Sequence, residues 1–372
     1  LTLDEEDGQN PIIRQRLDAS KPTALEVVQV RGRDEAPKRA GLASAAAEAA
    51  KKHLASGARA VAVVLNRVDG ARSCWRELQD VVDADVVLLT GRMRPIDRVE
   101  VFDRHIAPRA GAGRDRSGEA RPLVVVATQT IEAGADLDFD ALVTECASLD
   151  ALRQRFGRLD RRGELGRAPA TVLIRSDQVA DSSEDPVYGA ALSKTWAFLA
   201  KQEDRLDFGI QDFPAPDDPA PLLAEGPGAP TVLPSHLDAW SATAPRPTPD
   251  PDIAIWLHGP ERPSMEVQVV WRVEVSPETL DGTAPKNLED TEAALAACPP
   301  SPPEALALPL TAVRAWLRGA EEVSFADVGG TQEVGEGAAA QARQVLRYTR
   351  ESSGGGVALE RVGPEPLQPG NT

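Results

Sequence analysis

Between residues 41 and 176 the spacing of hydrophobic and polar positions alternates between two rhythms. "AVAVVLN" (60–66), "DVVLLTG" (85–91), "PLVVVAT" (122–128), "DALVTEC" (140–146) and "ATVLIRS" (170–176) are short and almost continuously apolar or β-branched. Such runs fit strands buried on both faces. Among them, "GLASAAAEAAKKHLA" (41–55), "GARSCWRELQDVV" (70–82) and "PIDRVEVFDRHI" (95–106) read as helices, the first from its alanine content. The alternation predicts an α/β unit with a parallel sheet and helices on both faces.

The flanks differ. Residues 1–40 show no sustained period beyond a short helix around "NPIIRQRL", and read as a connector. "RAGAGRDRSGEAR" (109–121) has no core pattern and reads as a mobile surface loop, with Arg109, Arg114 and Arg116 offered either to phosphates or to solvent. Residues 179–251 are crowded with Pro, Asp and Ala and suit a linker or surface wrap. A smaller α+β unit is expected over 252–350, from strands in "DIAIWLHG" and "EVQVVWRVEV" and a helix in "TAVRAWLRG", followed by a flexible tail at 351–372.

Composition narrows the partners. The net charge of −17 argues against nucleic acid binding over the whole surface but leaves a local basic groove open. No apolar run reaches the ~18 residues of a membrane span, and no export leader precedes the pattern, so a cytoplasmic place is expected. Cys74, Cys146 and Cys298 are odd in number and far apart, which suits reduced thiols, the first two buried. His53, His105, His236 and His258 have no metal-ligand spacing, so no metal site is expected. The chain opens on Leu1 instead of Met, as a fragment or an unusual start would.

Against this acidic background, "DALRQRFGRLDRRG" (150–163) concentrates arginine. Read as a helix capped by Asp150, it puts Leu152, Phe156 and Leu159 on one face and Gln154, Arg158 and Arg161 on the other. Guanidinium forks on an open face suit phosphate oxygens. Pairing with Asp150, Asp160 and Glu164 on a solvated face is the plainer alternative.

The preceding segment, "VATQTIEAGADLDFD", makes a resemblance specific. A strand ending at Thr128, then Gly134-Ala135-Asp136, then "QRFGRLDRRG", resembles motifs V and VI of superfamily 2 helicases. Motif VI has the form Gln-Arg-x-Gly-Arg-x-x-Arg, matched by Gln154, Arg155, Gly157, Arg158 and Arg161. The variant is most similar to the CRISPR-associated helicase of type I interference systems. "VAVVLNRVDGARSCWREL" stands where that family has motif IV, and "ASKPTALEVV" resembles the join into its second RecA-like domain. "VVLLTGRMRPIDR" resembles its next signature, with Thr90 in place of a histidine.

The resemblance implies that residues 41–178 are a second RecA-like helicase domain. Arg158 and Arg161 would be arginine fingers for the γ-phosphate of ATP, with Gln154 on the phosphate or the attacking water. Asp136, Gly134 and Arg155 would bind nucleotide. Thr128, Gln129 and Glu132 would lie where nucleotide and nucleic acid meet, and Arg92 and Asn66 near the single-strand groove. The expected partners are single-stranded DNA and a surveillance complex carrying guide RNA.

ATP hydrolysis in this superfamily also needs a Gly-Lys-Ser/Thr phosphate loop and an acidic pair for Mg²⁺. The chain has no Gly-Lys dipeptide, and "DEED" (4–7) lacks a preceding apolar strand. ATP would therefore be shared with a first RecA-like domain outside this chain, with Mg²⁺ bound there, and the isolated chain is not expected to hydrolyse ATP. No histidine is followed by Asp, so the family's His-Asp nuclease is absent from this sequence. Two rival readings are another superfamily 2 DNA helicase and a truncated, non-enzymatic nucleic-acid or protein-binding module.

Overall fold

The computed structural model describes residues 9–79, 82–117, 121–134, 136–180, 182–202, 205–226, 228, 230–241, 253, 255–256, 266–281, 283, 285–319, 323–324, 333–334, 344–350 and 357–362. Its centre is a six-stranded sheet built from β1 (Thr23–Val28), β2 (Ala60–Val64), β3 (Asp85–Leu89), β4 (Leu123–Ala127), β5 (Ala141–Glu145) and β6 (Ala170–Arg175). The order is β1-β6-β5-β2-β4-β3, and every pairing is parallel.

The strand sequences explain why both faces are covered. Side chains alternate across a sheet, so a run such as Ala60–Val64 sends apolar groups both ways. Ala60, Ala62 and Val64 join Val125, Leu142 and Val172 in one core. Val61 and Val63 join Val124, Val143 and Leu173 in the other. The second core is closed by α2 (Glu35–Ala55) and α3 (Val68–Gln79). Ala43, Ala46, Ala47 and Ala50 of α2 are buried there, and their small size lets that helix lie close to the strands. The first core is closed by α6 (Leu149–Phe156) and α7 (Ala191–Ala200). Ile106 and Ala110 add to it, from a helical stretch running from α4 (Pro95–Val101) through a π-helical turn (Phe102–Ile106) to α5 (Ala107–Ala110).

Several boundaries differ from those expected. The segment read as a connector holds the short helix expected there, α1 (Pro11–Asp18), but it also supplies β1, an edge strand bonded along its length to β6. At the other end, Tyr188, Leu192, Trp196, Phe208 and Leu222 belong to the first core, so the packed unit continues well past residue 178. The arginine helix stops at Phe156, with Gly157 as C-cap and Ser148, not Asp150, as N-cap.

The loop 109–121 is tied down where described. Arg109 meets Asp85 at 2.5 Å, Arg114 meets Asp140 at 2.5 Å, and Arg116 bonds Asp138, Asp140 and Glu164. These arginines neutralise internal carboxylates, which corrects the expectation of a mobile basic loop.

The C-terminal part holds small antiparallel pairs, Glu266–Val269 with Leu306–Pro309 and Val345–Arg350 with Val357–Val362. The helices Pro285–Ala297 and Leu310–Leu317 accompany them. The strand expected over "EVQVVWRVEV" ends at Val269. Val357–Val362 gives the tail an ordered strand, while the remainder of 351–372, most of "DIAIWLHG", and "DEED" lie outside the described residues.

Candidate functional site

In parallel α/β sheets, ligands meet the chain at the carboxyl ends of the strands. Here that rim holds Asn66 after β2, Thr90 after β3, Thr128 and Gln129 after β4, and Cys146 after β5, all buried. Two layers can be separated, one inside the rim and one open to solvent.

The inner layer is organised by Arg155, whose side chain is fully buried. Its Nε donates to Glu132 Oε1 at 2.8 Å. Nη1 donates to Thr144 Oγ1 (2.8 Å) and the Glu145 carbonyl (2.9 Å), and Nη2 to Asn66 Oδ1 and the Tyr188 hydroxyl (both 2.9 Å). All the N–H donors of the guanidinium are thus used. Arg155 therefore has none left for a nucleotide, which corrects its expected role; it ties β2, β5, the Gln129–Glu132 turn and the Tyr188 segment together.

Asn66 is likewise internal. Its amide donates to the Cys146 carbonyl at 2.8 Å, its backbone N–H donates to Glu145 Oε2 at 2.7 Å, and its carbonyl accepts from Gln129 Nε2 at 2.9 Å. Asn66, Thr128 and Gln129 do not face an open groove in this structure. Burial lifts the Glu145 carboxyl to about 7 and the Tyr188 phenol to about 12.

The outer layer follows α6. Gln154 is exposed on that helix. Because the helix ends at Phe156, Arg158 and Arg161 do not continue its face. They lie on a turn fixed to β5's approach, where Phe139 N–H donates to Arg158 O (2.8 Å) and Asp160 N–H to Phe139 O (2.9 Å). Arg158 lays its guanidinium over the Gln129–Glu132 turn, donating from Nε to Ile131 O (3.0 Å) and from Nη2 to Glu132 O (2.8 Å). Arg161 is exposed and its Nε stands 3.4 Å from Asp136 Oδ1, itself exposed. Gly134 takes a left-handed φ of +74°, which a side chain would strain, and the space around it is open.

The two guanidiniums sense each other. Partial burial, then the charge of Arg161, pulls the Arg158 value below the ordinary arginine range. The two cations are thus close, and the exposed Asp136 carboxylate makes only a weak, solvent-facing pair with Arg161. Arg158, Arg161, Asp136 and Gly134 are therefore brought together. Arg92 is elsewhere, donating from Nη1 to Glu266 (2.8 Å) and to Ala307 O (2.9 Å), and so joins the sheet unit to the C-terminal hairpin.

Sequence comparison shows what this stretch is similar to. Residues 57–164 match the family described as CRISPR-associated nuclease/helicase Cas3, C-terminal. The matched Cas3-like stretch runs from the residues before β2 to the arginine turn, so it contains every side chain of both layers except Tyr188. The Cas3 of Methanothermobacter thermautotrophicus is 32% identical over 155 residues, covering 41% of this chain and 17% of that protein. The Escherichia coli Cas3 is 35% identical over 103 residues, 27% of this chain and 11% of that one. The chain thus spans less than a fifth of the length of these relatives. The crystal structure of T. fusca Cas3 with AMPPNP covers 52% of this chain and 23% of that one, at 23% identity and a TM-score of 0.42.

Sequence reasoning missed Tyr188, Glu145, Lys21 and Asp138, and it read Asp160 as an arginine partner on a solvated face, where the structure buries it. Arg155 had an available signal: with Leu152, Phe156 and Leu159 it completes an i, i+3, i+4, i+7 set, the spacing of a buried helix face. Tyr188 lies in a stretch with no period at all, and nothing in the sequence marks it.

Proposed function

We propose that this chain is the second RecA-like half, with C-terminal region, of an ATP-driven DNA helicase of type I CRISPR interference. Arg158 and Arg161 are its arginine fingers, and Gln154 stands beside them on the exposed side of α6. Asp136 and Gly134 line the nucleotide edge. The observation that carries this reading is the pairing of Arg158 and Arg161 on an open turn held against the motif-V carbonyls of Ile131 and Glu132.

ATP is held in common with a first RecA-like domain, which supplies the phosphate loop and the Mg²⁺ ligands that this sequence lacks. Closing of the two domains brings the guanidiniums onto the charge that develops on the transferring phosphoryl group. Single-stranded DNA and a guide-RNA surveillance complex are the partners, in the cytoplasm. The DNA-contacting role of Thr128, Gln129, Asn66 and Arg92 becomes indirect: they shape the rim from within.

The test is DNA-stimulated phosphate release by the native gene product that contains this chain. Arg158→Ala and Arg161→Ala should each lower kcat by about 10³-fold, the lower range for an arginine finger, while ATP still binds. Wild-type rates in both variants would overturn the reading.

A further inference from the structure

The segment that leads into the sheet unit is stitched to the arginine turn. Lys21 is buried, and its Nζ donates to the carbonyl of Phe156, the last residue of α6, at 2.9 Å. Gln15 of α1 donates from Nε2 to the carbonyl of Arg162 at 3.2 Å. Ser20 N–H donates to Gly166 O at 3.0 Å, and Ala168 N–H returns a bond to Ser20 O at 3.0 Å. These ties reach the chain just before Arg158, just after Arg161, and at the exit of the turn.

The closest approach is at Gly163. Its φ is +70°, and a Cβ built there would stand 2.4 Å from Gln15 O and 2.9 Å from Gln15 C. Backbone lies directly on backbone, so any side chain at 163 must push α1 away from the turn. No flexible side-chain end is available to yield, since the atoms in the way belong to the main chain of α1.

The other side of the turn is equally fixed. Arg161 N–H donates to Asp138 Oδ1 at 2.9 Å, and Asp138 Oδ2 meets Arg116 at 2.9 Å. Asp160 is buried in a left-handed conformation (φ +39°), with Oδ1 accepting from Leu165 N–H at 3.1 Å. A non-glycine residue in that region is held there by its surroundings. Asp138 and Asp160 are also the charges that act most strongly on Lys21. The turn is thus gripped between the sheet and α1, and its position depends on both.

We propose that Lys21 and Gly163 are positioning residues for Arg158 and Arg161, and that α1 sets where the two guanidiniums stand. This rests on the finger assignment made above. Under it, displacement of α1 moves the turn directly, without passing through the sheet. Misplacing a catalytic group by about 1 Å can cost ~10²-fold in rate, so this grip bears on turnover far more than on nucleotide affinity.

The test compares Gly163→Ala, Lys21→Met, Lys21→Arg and Gln15→Ala with Arg158→Ala in the native gene product. Readouts are kcat and KM for DNA-stimulated ATP hydrolysis and the thermal midpoint. Gly163→Ala is expected to lower kcat by about 10- to 100-fold with KM for ATP changed less than about twofold. Lys21→Met lowers kcat in the same way, and Lys21→Arg restores part of it.

A residue that only held the fold together would lower the thermal midpoint and the folded yield, yet leave kcat per folded molecule intact. Full kcat in folded Gly163→Ala overturns the proposal. If that variant does not fold, the double variant Gln15→Ala/Lys21→Met removes ties without a clash; Gln15 is exposed, and full kcat there overturns the proposal equally. If Arg158→Ala keeps full activity, the finger assignment itself fails. If Arg158→Ala is inactive while the α1 variants are not, only this inference fails.

Discussion

Replacing Arg155 by lysine should cost stability out of proportion to so conservative a change. The guanidinium makes bonds to Glu132, Thr144, Glu145, Asn66 and Tyr188. An ammonium has three donors, arranged as a point and not a fork, so at least two of these acceptors lose their partner. A buried polar group left unpaired costs about 1–3 kcal/mol. The expected loss is therefore about 2–6 kcal/mol, a large share of the ~5–15 kcal/mol by which a typical domain is stable. Urea denaturation followed by intrinsic fluorescence measures it, compared at constant m-value. Arg158→Lys is the control: its donors reach backbone carbonyls on a half-open surface, and its loss should stay under about 1 kcal/mol. A loss below about 1 kcal/mol for Arg155→Lys would refute the claim that this network pins the rim.

Other expectations follow from the same geometry. Burial raises the Glu145 carboxyl from 4.5 to about 7, so its stability contribution is complete below pH ~4.5 and is lost as pH climbs through ~7. At about 1.4 kcal/mol per pKa unit, the loss is ~3 kcal/mol, and Glu145→Gln should gain on wild type by roughly that much between pH 4.5 and 8 in urea titrations. Burial raises the Cys74 thiol to about 12 and pushes Cys146 further, while Cys298 is exposed. A thiol-labelling reagent at pH 8 should therefore modify Cys298 alone in the native protein and all three cysteines in denaturant. Arg116→Ala removes the ion pair of the buried Asp138, while Asp140 keeps Arg114; it should cost about 3–5 kcal/mol, yet leave the salt slope of single-stranded DNA binding unchanged. A shallower slope would return the loop to a phosphate-contacting role.

The sheet could be read from the sequence in its four interior strands and in β3, an edge strand that is apolar after Asp85. β2, β4, β5 and β6 are buried along their whole length, and unbroken apolar runs leave few other options. β1 escaped because it is a half-covered edge strand: "TALEVV" carries Glu26, and Ala24 and Val27 are exposed, so it looks like connector. The arginine segment misled in an instructive way. Leu159 continues the spacing of Leu152 and Phe156, and it is indeed buried, but through a bridge to Phe139 and not on a helix. Periodicity reports burial; it does not report which geometry achieves it. Which arginine turns inward, and which carboxylates claim Arg114 and Arg116, depends on contacts between segments far apart in the chain. Local pattern carries little of that.

The pairing of β1 with β6 has a consequence for synthesis. Thr23 aligns with Ala170 and Val28 with Arg175, so β1 has no sheet neighbour until roughly 140 more residues have been added. At ~5–20 residues per second, that wait is on the order of 7–30 s. Throughout it, α1 and β1 must stay outside the forming sheet, because Phe156, Arg162 and Gly166, to which they are tied, also arrive late. The grip on the arginine turn therefore forms only after β2, β3, β4 and β5 have been made. A released fragment ending before residue 170 should hold β2, β3, β4 and β5 in register while the α1–β1 segment remains open to protease.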